Sequence, residues 1–440
     1  TLRLVGAAGT VVENFGVGSS VTISENRVNF TPTADLASDT VYHINYPSGC
    51  FTNNEGTDYV GTAYTFAVRP LVSTMFIWGY NATGQLGHNN TAPRSSPIQL
   101  PGTNWSVLGK QTASGADGAS AAIKSDGTLW MWGSDGEAGE LGQNEYAVRY
   151  SSPIQIPGTT WANVAGGDNS TMAVKTDGTL WRWGSNNMGM LGQNNTTQYS
   201  SPVQVGSDTT WTTKISQGEN TSYAIKTDGT LWSWGSNAYG TLGTNISDNN
   251  HRSSPIQIPG TTWANVMGSS YSNQEIAMAT KTDGTLWMWG GNYFGALGQN
   301  EGTGNDKKSR SSPTQIPGTT WSTDKDALAT GSQAAWAIKT DGTLWSWGAN
   351  NNGMLGHNNT TRYSSPVQVG SDTTWSKTIS RICIKTDGTL WAWGQNQYGV
   401  VGNGTAGTYY SSPIQIPGTT WTDIGGSANG AGVPQALKDL

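Results

Sequence analysis

The 440-residue chain carries only 12% charged residues, 29 acids against 23 bases, and holds 59 Gly and 21 Trp against 6 Phe. That is about half the charge of an ordinary globular protein (~25%), slightly acidic in balance, which argues against non-specific nucleic-acid binding and against a basic membrane patch. Two cysteines, Cys50 and Cys383, exclude a disulfide framework, and no apolar run is long enough to insert in a membrane as a helix.

The first seventy residues alternate as short strands do at Val21-Thr22-Ile23, Val28-Asn29-Phe30, Val41–Tyr46 and Thr62–Val68, and Thr1 reads as mid-strand. The stretches Leu36–Tyr42, Ser48–Phe51 and Gly61–Phe66 resemble the C-terminal part of a bacterial Ig-like domain of the surface-layer type. The resemblance implies a small β-sandwich portion over 1–70, with its first strands upstream of Thr1. Arg69-Pro70-Leu71 is the expected hinge, and a second domain is expected over 71–440.

From there a repeat takes over. Trp-Gly recurs at Trp78, Trp132, Trp183, Trp234, Trp289, Trp347 and Trp393, at spacings of 54, 51, 51, 55, 58 and 46 residues. Gly-Leu-Gly or a near relative follows each, then Ser-Ser-Pro ending at Pro97, Pro153, Pro202, Pro255, Pro313, Pro366 and Pro413. Another Trp comes next, at 105, 161, 211, 263, 321, 375 and 421. Each unit predicts four strands, for example Ala121–Lys124, Thr128–Trp132, Pro153–Ile156 and a fourth from Trp161. The first two are joined through Ser125-Asp126-Gly127, where a type I′ turn is expected, and Pro153 opens the third. Trp130 and Trp132 lie two apart and share one sheet face, so such pairs are expected to pack successive blades together.

Lys-(Ser/Thr)-Asp-Gly begins at Lys124, Lys175, Lys226, Lys281, Lys339 and Lys385, and no such strand precedes Trp78. Gln435–Asp439 supplies the missing piece. Pairing Ala436–Lys438 with Met75–Trp78 therefore closes a ring and removes its open edges. The full pattern, Ala-Ile-Lys-Thr-Asp-Gly-Thr-Leu-Trp-x-Trp-Gly-x-Asn-x-x-Gly-x-Leu-Gly, resembles the regulator of chromosome condensation repeat family over residues 73–440. That resemblance implies an all-β fold, a seven-bladed β-propeller of four-stranded blades, used as a binding platform. The family's members include a nuclear exchange factor that docks on nucleosomes and a secreted β-lactamase inhibitor. The acidic balance offers nothing to match the chromatin contacts of the former.

No catalytic constellation emerges. His88 and His357 stand where sister repeats have Gln143, Gln193 and Gln299, so a structural slot is the better reading than a metal ligand. The repeated Asp126, Asp177, Asp228, Asp283, Asp341 and Asp387 sit in hairpin turns, and an acid repeated six times lacks the distinct environment a general acid needs. No enzyme, cofactor or metal is expected.

Binding is expected on one face. Strands alternate direction, so the Lys-Thr-Asp-Gly and Pro-Gly-Thr-Thr turns share a face and hardly vary, whereas the connections on the other face differ in length. Just before each Ser-Ser-Pro, on the variable face, come the contact candidates Arg94, Arg149, Tyr150, Tyr199, Arg252, Arg310, Arg362, Tyr363 and Tyr410. Lys307 and Lys308 join them in the longest loop. An Ig-like module ahead of a low-charge, Asn/Gly/Ser/Thr-rich repeat array resembles the fibre or appendage proteins of tailed-phage virions. This implies an extracellular, virion location, with partners among other virion proteins or a host cell-surface protein or glycan, and homo-oligomer formation through the N-terminal region. A secreted or surface bacterial adhesin or inhibitor is the alternative.

Overall fold

The computed structural model describes residues 73–439 apart from 112–117, 168, 247, 249, 270–274, 303–307, 332 and 428–430. Of the first 72 residues it describes 2–5, 11–15, 21–24, 27–30, 32–33, 41–46 and 64–67. The chain divides into two compact units at Val72/Ser73. In the first, four antiparallel strands run in the order Val11–Phe15, Leu2–Val5, Val41–Asn45, Tyr64–Ala67, and Val21–Ser24 pairs with Arg27–Phe30 as a hairpin. Leu4 and Phe15 are buried there. The segments Leu36–Tyr42 and Gly61–Phe66 lie partly, and Ser48–Phe51 with Cys50 wholly, outside the described residues, as does the expected hinge.

The second unit is built by one hairpin logic repeated. Leu129–Ser134 pairs on one side with Ala119–Lys124 and on the other with Arg149–Ile156, and Trp105–Leu108 completes the group beyond Ala119–Lys124. Among the described residues Ser73–Asp439 forms seven such four-stranded antiparallel groups, a β-propeller arrangement. Two of them are joined into a nine-stranded sheet because Lys110–Gln111 pairs parallel with Ala165–Gly166 and with Gly426. Both ends of the unit share one group. Pro434–Asp439 lies between Trp421–Gly426 and Ser73–Gly79, with Ala436 opposite Phe76, Leu437 opposite Met75 and Lys438 opposite Thr74. The two expected strands therefore pair end to end, with Ala436–Lys438 opposite Thr74–Phe76 rather than Met75–Trp78.

Three local expectations are corrected. The strand starting at Trp161 does not finish its own group; it pairs with Ser170–Lys175 and opens the next one. Repeat and sheet are out of phase by one strand, because a turn sequence fixes where the chain reverses and not which neighbour the returning strand meets. The hairpin at Ser125-Asp126-Gly127 is not type I′. Gly127 alone has positive φ (77°), and Gly127 N–H donates to Lys124 O at 2.9 Å, the three-residue loop in which a type I turn ends on a left-handed glycine. A Cβ at Gly127 would also meet Thr159 O at 2.2 Å. Finally, Pro153 does not open its strand, which starts at Arg149. It sits inside the outermost strand beside the register shift between Met131 and Gly133, where an edge tolerates a missing donor.

The core lies between groups. Trp78, Trp132, Trp183, Trp234, Trp289, Trp347 and Trp393 are all at most 1% exposed. Each indole N–H crosses to a carbonyl of the preceding group: Trp132 to Gln85 at 2.7 Å, Trp183 to Glu140 at 2.8 Å, Trp234 to Met190 at 2.7 Å and so on to Trp78, which reaches Val400 at 2.9 Å. The acceptor is always the residue before Leu-Gly (or its Val-Gly counterpart). The glycine of that motif is what lets the ring approach: Gly142 has φ 69°, and a Cβ there would meet Trp183 Nε1 at 2.8 Å. A buried indole thus keeps its hydrogen bond while filling the seam between two sheets.

Candidate functional site: the two rims of the propeller

Alternating strand direction gives the unit two rims, one of turns and one of longer loops. Most contact candidates stand at the start of outer strands on the loop rim, while Arg362 precedes its strand and Lys308 lies in a loop. In register, Arg94 opposes Gly79, Tyr150 opposes Gly133, Tyr199 opposes Gly184 and Arg252 opposes Gly235. Arg310, Tyr363 and Tyr410 take the same place opposite Gly290, Gly348 and Gly394. The structure therefore gives them one equivalent position in every group. It also shows what most of them do locally. Arg252 pairs with Asp248 at 2.8 Å, and Arg310 with Glu301 at 2.7 Å. The Tyr150 hydroxyl donates to Glu145 at 2.6 Å, a bond that raises its pKa. Tyr199, Tyr363 and Tyr410 accept hydrogen bonds from Asn195, Asn359 and Asn403. The Arg362 guanidinium lies 3.9 Å from the centre of the Phe294 ring of the preceding group. Each side chain pins a loop. Arg94, Arg149 and Lys308 are exposed, and Lys307 lies outside the described residues.

Below these loops a polar side chain follows every Trp-Gly. Asn81, Asn186, Asn237, Asn350 and Asn396 each donate to backbone of their own loop, and Asn81, Asn186 and Asn350 do so twice. In the Trp132 group the residue is Asp135. It is fully buried, accepts the Leu141 N–H at 2.7 Å, and burial lifts its carboxyl to about 6.

The turn rim is more regular, though not invariant. Pro-Gly-Thr-Thr is replaced by Gly206-Ser207-Asp208-Thr209-Thr210 and by Gly370-Ser371-Asp372-Thr373-Thr374, and by Pro101-Gly102-Thr103-Asn104 in the first repeat. In the six hairpins the Asp carboxylate accepts from the Thr two residues on, through both N–H and hydroxyl, as at Asp177 with Thr179 (3.0 and 2.7 Å). The same Thr hydroxyl accepts the N–H of the first indole, Trp181 at 2.8 Å. These bonds hold the Asp carboxyls below the usual range. The hairpin lysine then lies over two indoles: Lys175 is 4.1 Å from the Trp181 ring and 4.8 Å from that of Trp161. The first Trp of each pair does share its face with the second, yet it is only half-buried and belongs to this rim. The lysine stations were missed in the sequence, although Lys and both Trp recur in every full repeat.

One cluster breaks the regularity. Asp326 is 5% exposed, sits 2.8 Å from Lys110 and from Lys325 and 3.6 Å from Lys377, and Lys377 bonds Asp423 at 2.8 Å. Burial works to raise Asp326, but the lysines outweigh it and hold its carboxyl well below the usual range. His88 takes the place of glutamine: its Nε2 meets Gln99 O at 2.8 Å, as Gln193 Nε2 meets Gln204 O at 3.0 Å, whereas His357 Nε2 meets the Ser346 hydroxyl at 2.9 Å. Cys383 is buried, with its thiol pushed up to about 12. Among the described residues no group of three His, Cys, Asp or Glu is placed to hold a metal, and no helix is long and apolar enough to cross a membrane.

Repeated hairpins, a core of indoles between sheets and two rims of surface loops define a β-propeller of the RCC1-like kind. The RCC1-like domain profile matches residues 58–383 and the regulator of chromosome condensation (RCC1) repeat matches 387–429, so the chain belongs to this family. The ultraviolet-B receptor UVR8 of Arabidopsis thaliana is 28% identical over 295 residues, which is 66% of this chain and 64% of UVR8. Human HERC2, an E3 ubiquitin-protein ligase, is 27% identical over 307 residues, 68% of this chain and 6% of HERC2. The chain thus spans under two thirds of either relative. Solved structures with the same fold include human WBSCR16 (TM-score 0.68, 18% identity, 83% of this chain and 99% of that one). Another is Saccharomyces cerevisiae Prp20p, studied for its binding to Gsp1p and histones (0.68, 18%, 84% and 92%).

Proposed function

We propose that the seven groups are the blades of one closed ring and that this ring is a non-catalytic binding platform whose loop rim meets the partner. The observation that carries this reading is the asymmetry of the rims. Equivalent strand entries at Arg94 through Tyr410 hold loops of different length on one face, above a scaffold whose seams repeat from group to group. That one relative is named a receptor agrees with such a role. The finer reading is a phage virion protein, a tail fibre or a capsid or tail appendage. It contacts a host cell-surface protein or glycan, or neighbouring virion subunits, and its first seventy residues are an Ig-like module through which copies assemble. Low charge and near-identical Asn/Gly/Ser/Thr-rich repeats support that reading.

The test is to replace Asn300–Arg310 with the shorter Asn194–Tyr199 and to screen the full chain against host cells, glycans and purified virion proteins. The loop swap is expected to leave the melting temperature within a few degrees and to weaken attachment at least tenfold. Arg252→Ala and Arg362→Ala are expected to weaken it less, and Asp177→Asn on the turn rim not at all. Normal attachment by the loop swap with loss in Asp177→Asn would invert the assignment of faces. Absence of the chain from purified particles would remove the virion reading.

A further inference from the structure

The lysine stations of the turn rim are not all alike, and their difference points to a ligand. In every full repeat the lysine amine is fixed in the same way. It lies 4.2 and 4.7 Å from two ring centres at Lys226, 4.1 and 4.7 Å at Lys385, and 4.0 and 4.9 Å at Lys339. At Lys226 and Lys385 the chain itself supplies a counter-ion. Asp208, from the turn one residue longer than Pro-Gly-Thr-Thr, brings a carboxylate oxygen to 2.5 Å from Lys226 Nζ, and Asp372 does the same for Lys385. The other Asp208 oxygen caps its own turn through Thr210 N–H at 2.8 Å and the Thr210 hydroxyl at 2.6 Å.

At Lys339 the preceding turn is Pro317-Gly318-Thr319-Thr320, which has no acid. The neighbouring Asp341 has its carboxylate engaged by Thr343, and no ion pair joins Lys339 to any described acid. In front of this amine lies a cleft of about 290 Å³ lined by Lys339, Trp321, Trp345, Pro317, Gln299 and Asn300. Two sister stations show that a peptide-borne carboxylate fits against this Lys–Trp–Trp arrangement, and here there is room for one from outside. A cation set between indoles and half-shielded from water makes its strongest bond with an anionic acceptor.

We propose that the Lys339 cleft is a binding site for a side-chain carboxylate on an acidic peptide segment of a partner protein. The partner's Asp or Glu takes the position that Asp208 and Asp372 take within the chain, and Gln299 and Asn300 offer amides to its backbone. The site lies beside the outer strand, between the turn at Pro317 and the start of the loop at Asn300, and its carboxylate-binding lysine belongs to the turn rim.

The experiment uses the full chain and an acetylated, amidated Gly-Ser-Asp-Thr-Thr peptide bearing a photo-crosslinking group, with labelled segments mapped by mass spectrometry. Labelling is expected at 298–300, 316–317 and 365–366. It is expected to fall at least fivefold with the Asn-for-Asp peptide, with Lys339→Gln, and with Pro317–Gly318 replaced by Gly-Ser-Asp, which installs the sister stations' own carboxylate in a turn the fold already uses. Labelling is expected to stay at background at the Lys226 and Lys385 stations, where Asp208 and Asp372 already hold the position. Free acetate and glucuronate are expected to compete only at concentrations at least tenfold above that of unlabelled peptide. The proposal is overturned by absent labelling of the cleft, by equal labelling with both peptides, or by labelling unchanged in the Gly-Ser-Asp graft. Glucuronate competing better than peptide overturns the peptide source in favour of an acidic sugar.

Discussion

The two rims of this propeller hang from the same strands, yet one nearly repeats itself while the other differs from group to group. On the turn rim each hairpin is self-sufficient. Asp177 ties Thr179, Thr179 ties Trp181, and Lys175 covers that indole, all within seven residues. Such a unit recurs together with the outside indole its lysine covers, Trp161, which is itself repeated. On the loop rim each buried side chain after Trp-Gly must match the loop above it. Asn186 does so by donating to Asn195 O and Thr197 O, whereas Asp135 has no such donor when ionised and sits beneath a loop that instead turns at Ala147 with φ 56°. Locally closed networks give repetition, and networks that depend on a distant loop give variation.

The largest expected effect removes what both rims hang from. Deleting residues 433–440 takes away a strand paired on both sides and exposes the edges of Ser73–Gly79 and Trp421–Gly426. The melting temperature is expected to fall by more than 10 °C, with unfolding broadened as the group shared by both ends comes apart. An unchanged transition in scanning calorimetry would show that the groups are held without it.

Next comes the seam that joins the rims. Trp183→Ala empties a fully buried site and leaves the Glu140 carbonyl with the Thr171 hydroxyl alone, a large-to-small change expected to cost about 3–5 kcal/mol in denaturant unfolding. Trp181→Ala, at the half-buried rim position two residues away, is expected to cost less than half as much. Equal losses would erase the distinction between seam and rim.

The smallest effect sharpens the loop-rim side. Burial raises the Asp135 carboxyl to about 6, against the pull of backbone N–H groups, so the folded chain holds this proton more tightly than the unfolded chain does. Its contribution is fully present below about pH 4 and is lost as pH rises through about 6. Asp135→Asn, the residue found in the six sister positions, is expected to remove that slope. At pH 7 it is expected to stabilise by on the order of 1 kcal/mol, after allowance for solvent screening near the rim. A stability profile between pH 4 and 7 that is the same for both proteins would show that Asp135 ionises freely in the fold.

What the sequence alone determined is whatever closes within a few residues or recurs by period. The Trp-Gly spacing, the Asp-Gly hairpins, the pairing of the last strand with the strand that holds Trp78 and the separation of regular from irregular face were all legible, because hydrogen-bonded turns and strand alternation are local. Only the tertiary structure decided which sheet the Trp161 strand joins, since adjacent sheets offer chemically similar edges and the turn before it specifies neither. It likewise decided that Trp181 faces a lysine and Trp183 the Glu140 carbonyl, although both lie on one face of one strand. It alone brought Lys110 to Asp326 across 216 positions of sequence. Their attraction depends on distance in space, which the arrangement of groups sets and the order of residues does not reveal.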